Sequence, residues 1–279
     1  MKYIHIKAMA LTLLKELGLA LLLLLGVSFV VFAILYAAPG DQFGVLLEGQ
    51  SNTDAARAGI REAMGATQSW YGQYFSWLYN VLSGNFGTSV RTGLPVAGEL
   101  LTVSLNTLYL TLGSMLVTLL IAVPIALYSS VRGHSVAIIW PLTMLGYVIS
   151  ALPVFWLGYI AIYISIHSFD FFPLVSMSRG EGENAWLYTL VPVLVLGLGS
   201  GTISEVIRNL REEMSRVMAE DYVRTARAKG ASMWRHAFKE GLLIPVTEII
   251  AAKIPFMLGG AVIVEQVFNW PGMGRMAWQ

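Results

Sequence analysis

The chain of 279 residues contains no cysteine, which excludes disulfides, thiolate metal sites and thiol catalysis. The dipeptide Gly-Lys never occurs, so there is no Walker A phosphate loop and no ATP binding of that kind in this chain. Four histidines, His5, His134, His167 and His236, are scattered, and none pairs at metal-ligand spacing. Charge is scarce as well: 13% of residues are charged and the net charge is +1, leaving no global basic field for nucleic acid. Heptads, low-complexity tracts and repeats are missing. What fills the chain is apolar. Hydrophobic residues make up 56% and the mean hydropathy is +0.65, which marks a polytopic membrane protein.

Five predicted spans meet the roughly 20 apolar residues that a bilayer crossing needs. They run from about Leu17 to Ala38, Leu100 to Tyr128, Val136 to Ile166, Ala185 to Ile207 and Leu242 to Val267. The first is too long for a signal-peptide core and reads as an anchor. Lys2, Lys7 and Lys15 before it place the N-terminus inside. The segments Gly40–Glu99 and His167–Asn184 are then external, and Gly40–Glu99 holds five acidic residues against three basic ones. The fold class is therefore all-α polytopic membrane protein, with a large external segment after the first span. Trp70, Trp77, Trp186 and Trp270 fall near the expected interfaces, as an aromatic belt would.

Within the spans, Pro124, Pro141, Pro153, Pro192 and Pro255 remove backbone hydrogen bonds that neighbours or water must recover. Gly197, Gly199, Gly201, Gly259 and Gly260 point to close helix packing, with a hinge or pore lining as the alternative. The run Gly197-Leu198-Gly199-Ser200-Gly201 resembles an intramembrane serine protease only faintly, because no histidine faces it at the same depth. An ion-coupled secondary transporter, the other alternative, lacks an Asp/Glu ladder. Glu248, Lys253 and Glu265 are the ionisable residues of the fifth span. Glu248 and Lys253 lie about 140° apart on a helix and cannot pair with each other. Glu248 can snorkel. Lys253 is deeper, and is expected to face a translocation path or partner interface and meet a carboxylate there; a snorkelling lysine is the alternative.

Asp221 to Pro245 is a charged, helix-prone island between two apolar stretches. Eight of the eighteen Lys and Arg residues lie between Arg208 and Lys239, which places this segment in the cytoplasm. Small residues (Thr225, Ala226, Ala228) precede Gly230, which can take the left-handed conformation that ends a helix. Small side chains allow close approach and the flanking cations add steering, as a short docking helix requires. A solvated loop that only sets topology is the bland alternative.

Asp221-Tyr222-Val223-Arg224-Thr225-Ala226-Arg227-Ala228-Lys229-Gly230 resembles the cytoplasmic "EAA" loop of ABC importer permeases of the dipeptide/oligopeptide, nickel and glutathione branch. Arg224 replaces the glutamate of the general pattern, as that branch does. Ala38-Pro39-Gly40-Asp41, Gly84 to Ser89 with Pro95-Val96, Ser150-x-x-Pro153-x-Phe155, Phe172-Pro173 and the run from Gly260 to Arg275 are similar to further signatures of the branch. Lys253 and Pro255 depart from it, standing where small apolar residues are usual. The sixth span that should follow Arg275 is absent, so the chain reads as a fragment lacking its last helix.

The resemblance implies the transmembrane subunit of a type I ABC importer, without enzymatic activity or a cofactor of its own. Residues 1–98 would be an N-terminal helix and external segment, and residues 99–279 the transmembrane type-1 domain with a coupling loop at 208–241. Asp221, Tyr222, Arg224, Thr225, Ala226, Ala228, Lys229 and Gly230 would form the ATPase-coupling loop, with Lys253 and Glu248 on the translocation path. The implied partners are a paralogous permease, two ATPase subunits binding ATP and magnesium, and an extracytoplasmic substrate-binding protein. The implied location is the bacterial inner membrane, and the implied cargo a di- or oligopeptide or a related solute.

Overall fold

A computed structural model describes residues 2–37, 69–89, 92–131, 136–169, 185–199, 201–231 and 239–278. Pro39-Gly40-Asp41, Phe172-Pro173, His134, Ser200 and the side chain of Trp186 lie outside the described residues. The described residues form helices joined by turns, with one isolated bridge, Thr88 to Pro95. They divide into two compact units, residues 1–98 and 99–279.

In the first unit, α1 (Lys2–Ala37) carries a 27-residue apolar stretch from Leu11 to Ala37, none of its most apolar window buried within the chain. Such a helix belongs in lipid or against another subunit. Helix α2 (Trp70–Leu82) packs on it through Tyr74, which is 4% exposed. The Tyr74 ring stands edge-on to Phe29 at 5.2 Å and to Phe32 at 5.5 Å, and its hydroxyl meets Ser28 Oγ at 3.0 Å. The Gly84–Ser89 signature makes the turn after α2. Gly84 and Gly87 take φ of 77° and 72°, open only to glycine at little strain. Ser89 N–H donates to Leu94 O at 2.8 Å, and Val96 N–H to Gly87 O at 3.0 Å, leading the chain into α3 (Val96–Val131).

The second unit is built on α3 from residue 99 onward, with α4 (Val136–Ala151), α5 (Val154–Phe169), α6 (Ala185–Leu198), α7 (Thr202–Ala219), α8 (Asp221–Ala228), a π-helical turn at Lys239–Leu243, α9 (Ile244–Val267) and α10 (Met273–Trp278). One core layer gathers Leu110, Met115, Val195, Leu196, Met257, Ala261 and Phe268. The other gathers Ala122, Ala126, Val206, Leu210, Met214, Val217, Val223 and Ile249. A stripe of hydroxyls, Thr107, Thr111, Ser114 and Thr118, is buried along α3. Thr111, Ser114 and Thr118 each donate to the carbonyl four residues back, and Thr118 donates also to Gly197 O at 2.7 Å. Polar groups in an apolar bundle are satisfied internally in this way.

Two expected spans are corrected. The third is broken: α4 ends at Ala151 and α5 begins at Val154. Pro153 has no N–H to donate and keeps Leu152 out of helical geometry, so the chain turns there instead of kinking. The fourth does not continue to Ile207. Helix α6 stops at Leu198, Gly201 takes φ 73°, and α7 departs at 54° as an amphipathic helix. Its apolar residues Ile203, Val206, Ile207, Leu210, Met214 and Val217 face the core at helical spacing while Arg208, Arg211 and Glu212 face out. Among the described residues three helices, α1, α3 and the stretch Gly241–Val267 that contains α9, are long and apolar enough to cross a membrane; the bent α6–α7 pair adds a fourth only when counted as one broken span. Pro124, Pro141, Pro192 and Pro255 do lie inside helices.

The glycines act differently from one another. A Cβ on Gly197 would lie 2.7 Å from Ser114 O, so α3 and α6 touch backbone to backbone there. At Gly199 it would meet Val154 and Leu157 of α5, at 3.0 and 3.2 Å. Gly201 serves by its dihedral. Gly259 has open space around it, so close packing does not explain it.

Candidate functional site

Helix α8 is short and polar, and two apolar residues fix how it sits. Val223 is 1% exposed and Ala226 8%, both turned into the chain's own packing. The expectation that Ala226 presents a small surface outward is therefore corrected: it seats α8 on its own protein. Asp221, Tyr222, Arg224, Thr225, Ala228, Lys229 and Gly230 are all exposed. Among them Tyr222, Thr225, Ala228 and Lys229 follow helical spacing along one outer face. Thr225 Oγ1 donates to Asp221 O at 2.8 Å, closing the first turn. Gly230 takes φ 67°, and Ala231 N–H donates to Ala226 O at 3.0 Å, a Schellman-type end that stops the helix beyond Lys229. Arg224 reaches Asp221 at 3.6 Å in the open, a pair worth little stability.

A cleft of about 290 Å³ opens between α7 and α9. Glu205, Asn209, Glu212 and Glu213 line it from α7, and Pro245, Glu248, Ile249, Ala252 and Lys253 from α9. Glu248 and Lys253 thus share one cleft without pairing. Lys253 Nζ instead forms a hydrogen-bonded ion pair with Glu205 Oε2, and it also lies 5.1 Å from the Phe256 ring centroid. The carboxylate expected from a substrate or partner is supplied in-chain. Glu213 is committed elsewhere: Arg216 donates to Glu213 Oε2 through Nε at 2.9 Å and Nη2 at 2.6 Å.

The Gly260–Arg275 run has a structural logic of its own. Asn269 takes φ 53° and Trp270 N–H donates to Glu265 O at 2.8 Å, ending α9 with an asparagine in the left-handed position. Glu265 is fully buried. Thr107 O–H donates to Glu265 Oε1 at 2.6 Å and Arg275 N–H to Oε2 at 2.9 Å, while Met273 N–H donates to Thr107 Oγ1 at 2.8 Å. The carboxyl therefore satisfies the first turn of α10 from another helix, where negative charge is favoured. Gly272 passes so close that a Cβ would fall within the carboxyl group. Asn106 Nδ2 donates to Pro271 O at 2.8 Å, and Trp270 Nε1 to Asn106 O at 3.2 Å. Trp270 is buried in this knot and not in a lipid-facing belt, a second correction. The signature residues were visible in the sequence, but their partners Asn106 and Thr107 were not.

Residues 122–279 match the family described as binding-protein-dependent transport system inner membrane component, and residues 9–126 match that family's N-terminal region. The chain belongs to this family. It is 35% identical over 262 residues to the oligopeptide transport system permease protein AppB of Bacillus subtilis, covering 91% of this chain and 82% of the relative. It is 34% identical over 260 residues to the glutathione transport system permease protein GsiC of Salmonella typhimurium, covering 91% and 80%. The GsiC protein of Escherichia coli strain K12 is 32% identical over 256 residues, covering 90% and 79%. The chain is thus a multi-pass permease subunit of an ATP-driven importer of the inner membrane, and a transport subunit in place of the protease or ion-coupled carrier.

Proposed function

We propose that this permease carries di- or oligopeptides or a glutathione-like solute, the cargo classes in the names of its relatives. It pairs with a paralogous permease in a bundle driven by two ATPase subunits, which bind the ATP and magnesium. An extracytoplasmic binding protein delivers the solute. The N-terminus lies in the cytoplasm, in keeping with Lys2, Lys7 and Lys15 before the first span. Covalent chemistry plays no part; substrate moves by alternating access as ATPase closure draws the coupling helices together.

The exposed face of α8 is the observation that carries this reading. Tyr222, Thr225, Ala228 and Lys229 project from a helix whose other side is locked by Val223 and Ala226, and whose end is fixed by Gly230. A short helix anchored on one side and exposed on the other suits a groove on a partner subunit. The cleft lined by Glu248 and Lys253 borders the translocation path and moves with α9. Co-purification tests the coupling face. With Thr225→Trp, the membrane fold should stay intact while ATPase subunits are lost or uptake is uncoupled from hydrolysis. Undiminished ATPase retention together with undiminished uptake would remove α8 from that role.

A further inference from the structure

We infer that the Lys253–Glu205 ion pair is a positioning contact that makes α7, and with it α8, move together with α9. The inference rests on the permease reading and adds to it a contact between two helices. An unpaired lysine at 253 would be unfavourable in a spanning helix. Its partner lies 48 residues earlier, in the first turn of α7 just beyond the left-handed Gly201. That placement matters mechanically. The far end of α7 is already held by apolar packing of Met214 and Val217 against Leu242 and Ile249. Near the bend, Lys253 and Glu205 supply a charged tie between α7 and α9.

The pair can also open. Lys253 is 13% exposed and Glu205 39% within the chain, and both border the cleft, so neither side chain is locked in place by packing. Other carboxylates do not replace Glu205 in this arrangement. Glu213 is held by Arg216, Glu248 lines the same cleft but stands about 140° around α9 from Lys253, and Glu212 is about 10 Å farther along α7. A tie that is specific, open to a cleft and located near a bend transmits motion when formed and releases it when broken.

The test uses the whole transporter in proteoliposomes: this permease, its partner permease, the ATPase subunits and the binding protein. Lys253→Met and Glu205→Gln should each assemble but transport less solute per ATP, by on the order of tenfold. The charge swap Lys253→Glu with Glu205→Lys should recover most of that loss, and the single variants should keep the thermal stability of the unmodified complex, which a merely structural role would not give. Because the chain has no native cysteine, the double variant Glu205→Cys/Lys253→Cys gives a second readout independent of transport. A bifunctional maleimide long enough to replace the two side chains should cross-link it within the chain in every nucleotide state, as expected of two elements that move together. Single variants with normal uptake per ATP, a swap no better than the single changes, or a pair that does not cross-link in every state would each overturn the inference. Wild-type complex that shows no ATP-driven uptake would instead strike at the permease reading beneath it.

Discussion

Replacing Glu265 tests the buried knot at the end of α9. In Glu265→Ala the Thr107 O–H and the Arg275 N–H both lose the acceptor that the carboxyl supplies. Leaving a buried donor unmet costs about 1–3 kcal/mol, and the lost carboxyl leaves a void against Gly272. A total of about 3 kcal/mol follows, enough to raise the opened population of the Trp270–Trp278 segment on the order of a hundredfold. Glu265→Gln should be far milder, at about 1 kcal/mol. Its carbonyl can keep the Arg275 N–H, and its amide N–H can donate to Thr107 Oγ1. Limited trypsin cleavage after Arg275, whose Nη1 is bonded to Asn269 O at 3.0 Å, reads the opening directly. The expected order of cleavage rate is Ala far above Gln, and Gln slightly above unmodified protein. Equal rates for all three would refute the reasoning, as would Gln behaving like Ala.

Gly197→Ala places a methyl 2.7 Å from Ser114 O and should destabilise the bundle by about 1–3 kcal/mol, whereas Gly259→Ala meets open space and should be neutral or stabilising by up to ~1 kcal/mol. Thermal unfolding of the purified permease in detergent separates the two. Ala226→Trp should disturb the coupling segment itself, seen as faster proteolysis between Arg216 and Lys229, while Thr225→Trp should leave that pattern intact and affect only ATPase association. Tyr74→Phe loses the hydroxyl contacts with Ser28 Oγ and Leu25 O and should cost about 1 kcal/mol, against about 3–5 kcal/mol for Tyr74→Ala, measured as α1–α2 stability in the same assay.

The helical class and the location of the apolar stretches were legible because a membrane span announces itself by length and composition alone. Where helices end was less so. Pro153 terminates a helix while Pro124 and Pro192 sit within one, and sequence position does not distinguish a turn from a tolerated kink. Ile203, Val206 and Ile207 extend the apolar run of α6 in the sequence, yet they are the inner face of α7, whose period shows only when Leu210, Met214 and Val217 are counted with them. Helix α2 escaped notice because its aromatic residues are short in span and lie in a stretch otherwise read as an external loop. Within the coupling segment, Gly230 could be read from its neighbours. The inward turn of Ala226 could also have been found, since Val223 and Ala226 are one turn apart and follow Val217. Long-range pairs could not: nothing local links Lys253 to Glu205, or Glu265 to Thr107.

Transport with purified components tests the central claim most directly. The permease is reconstituted in proteoliposomes with its partner permease, ATPase subunits and binding protein, and uptake of a labelled dipeptide or glutathione is followed with and without ATP. The account predicts uptake that requires ATP, the ATPase subunits and the binding protein together. Uptake that persists without the ATPase subunits, or that an ion gradient alone can drive, would contradict it.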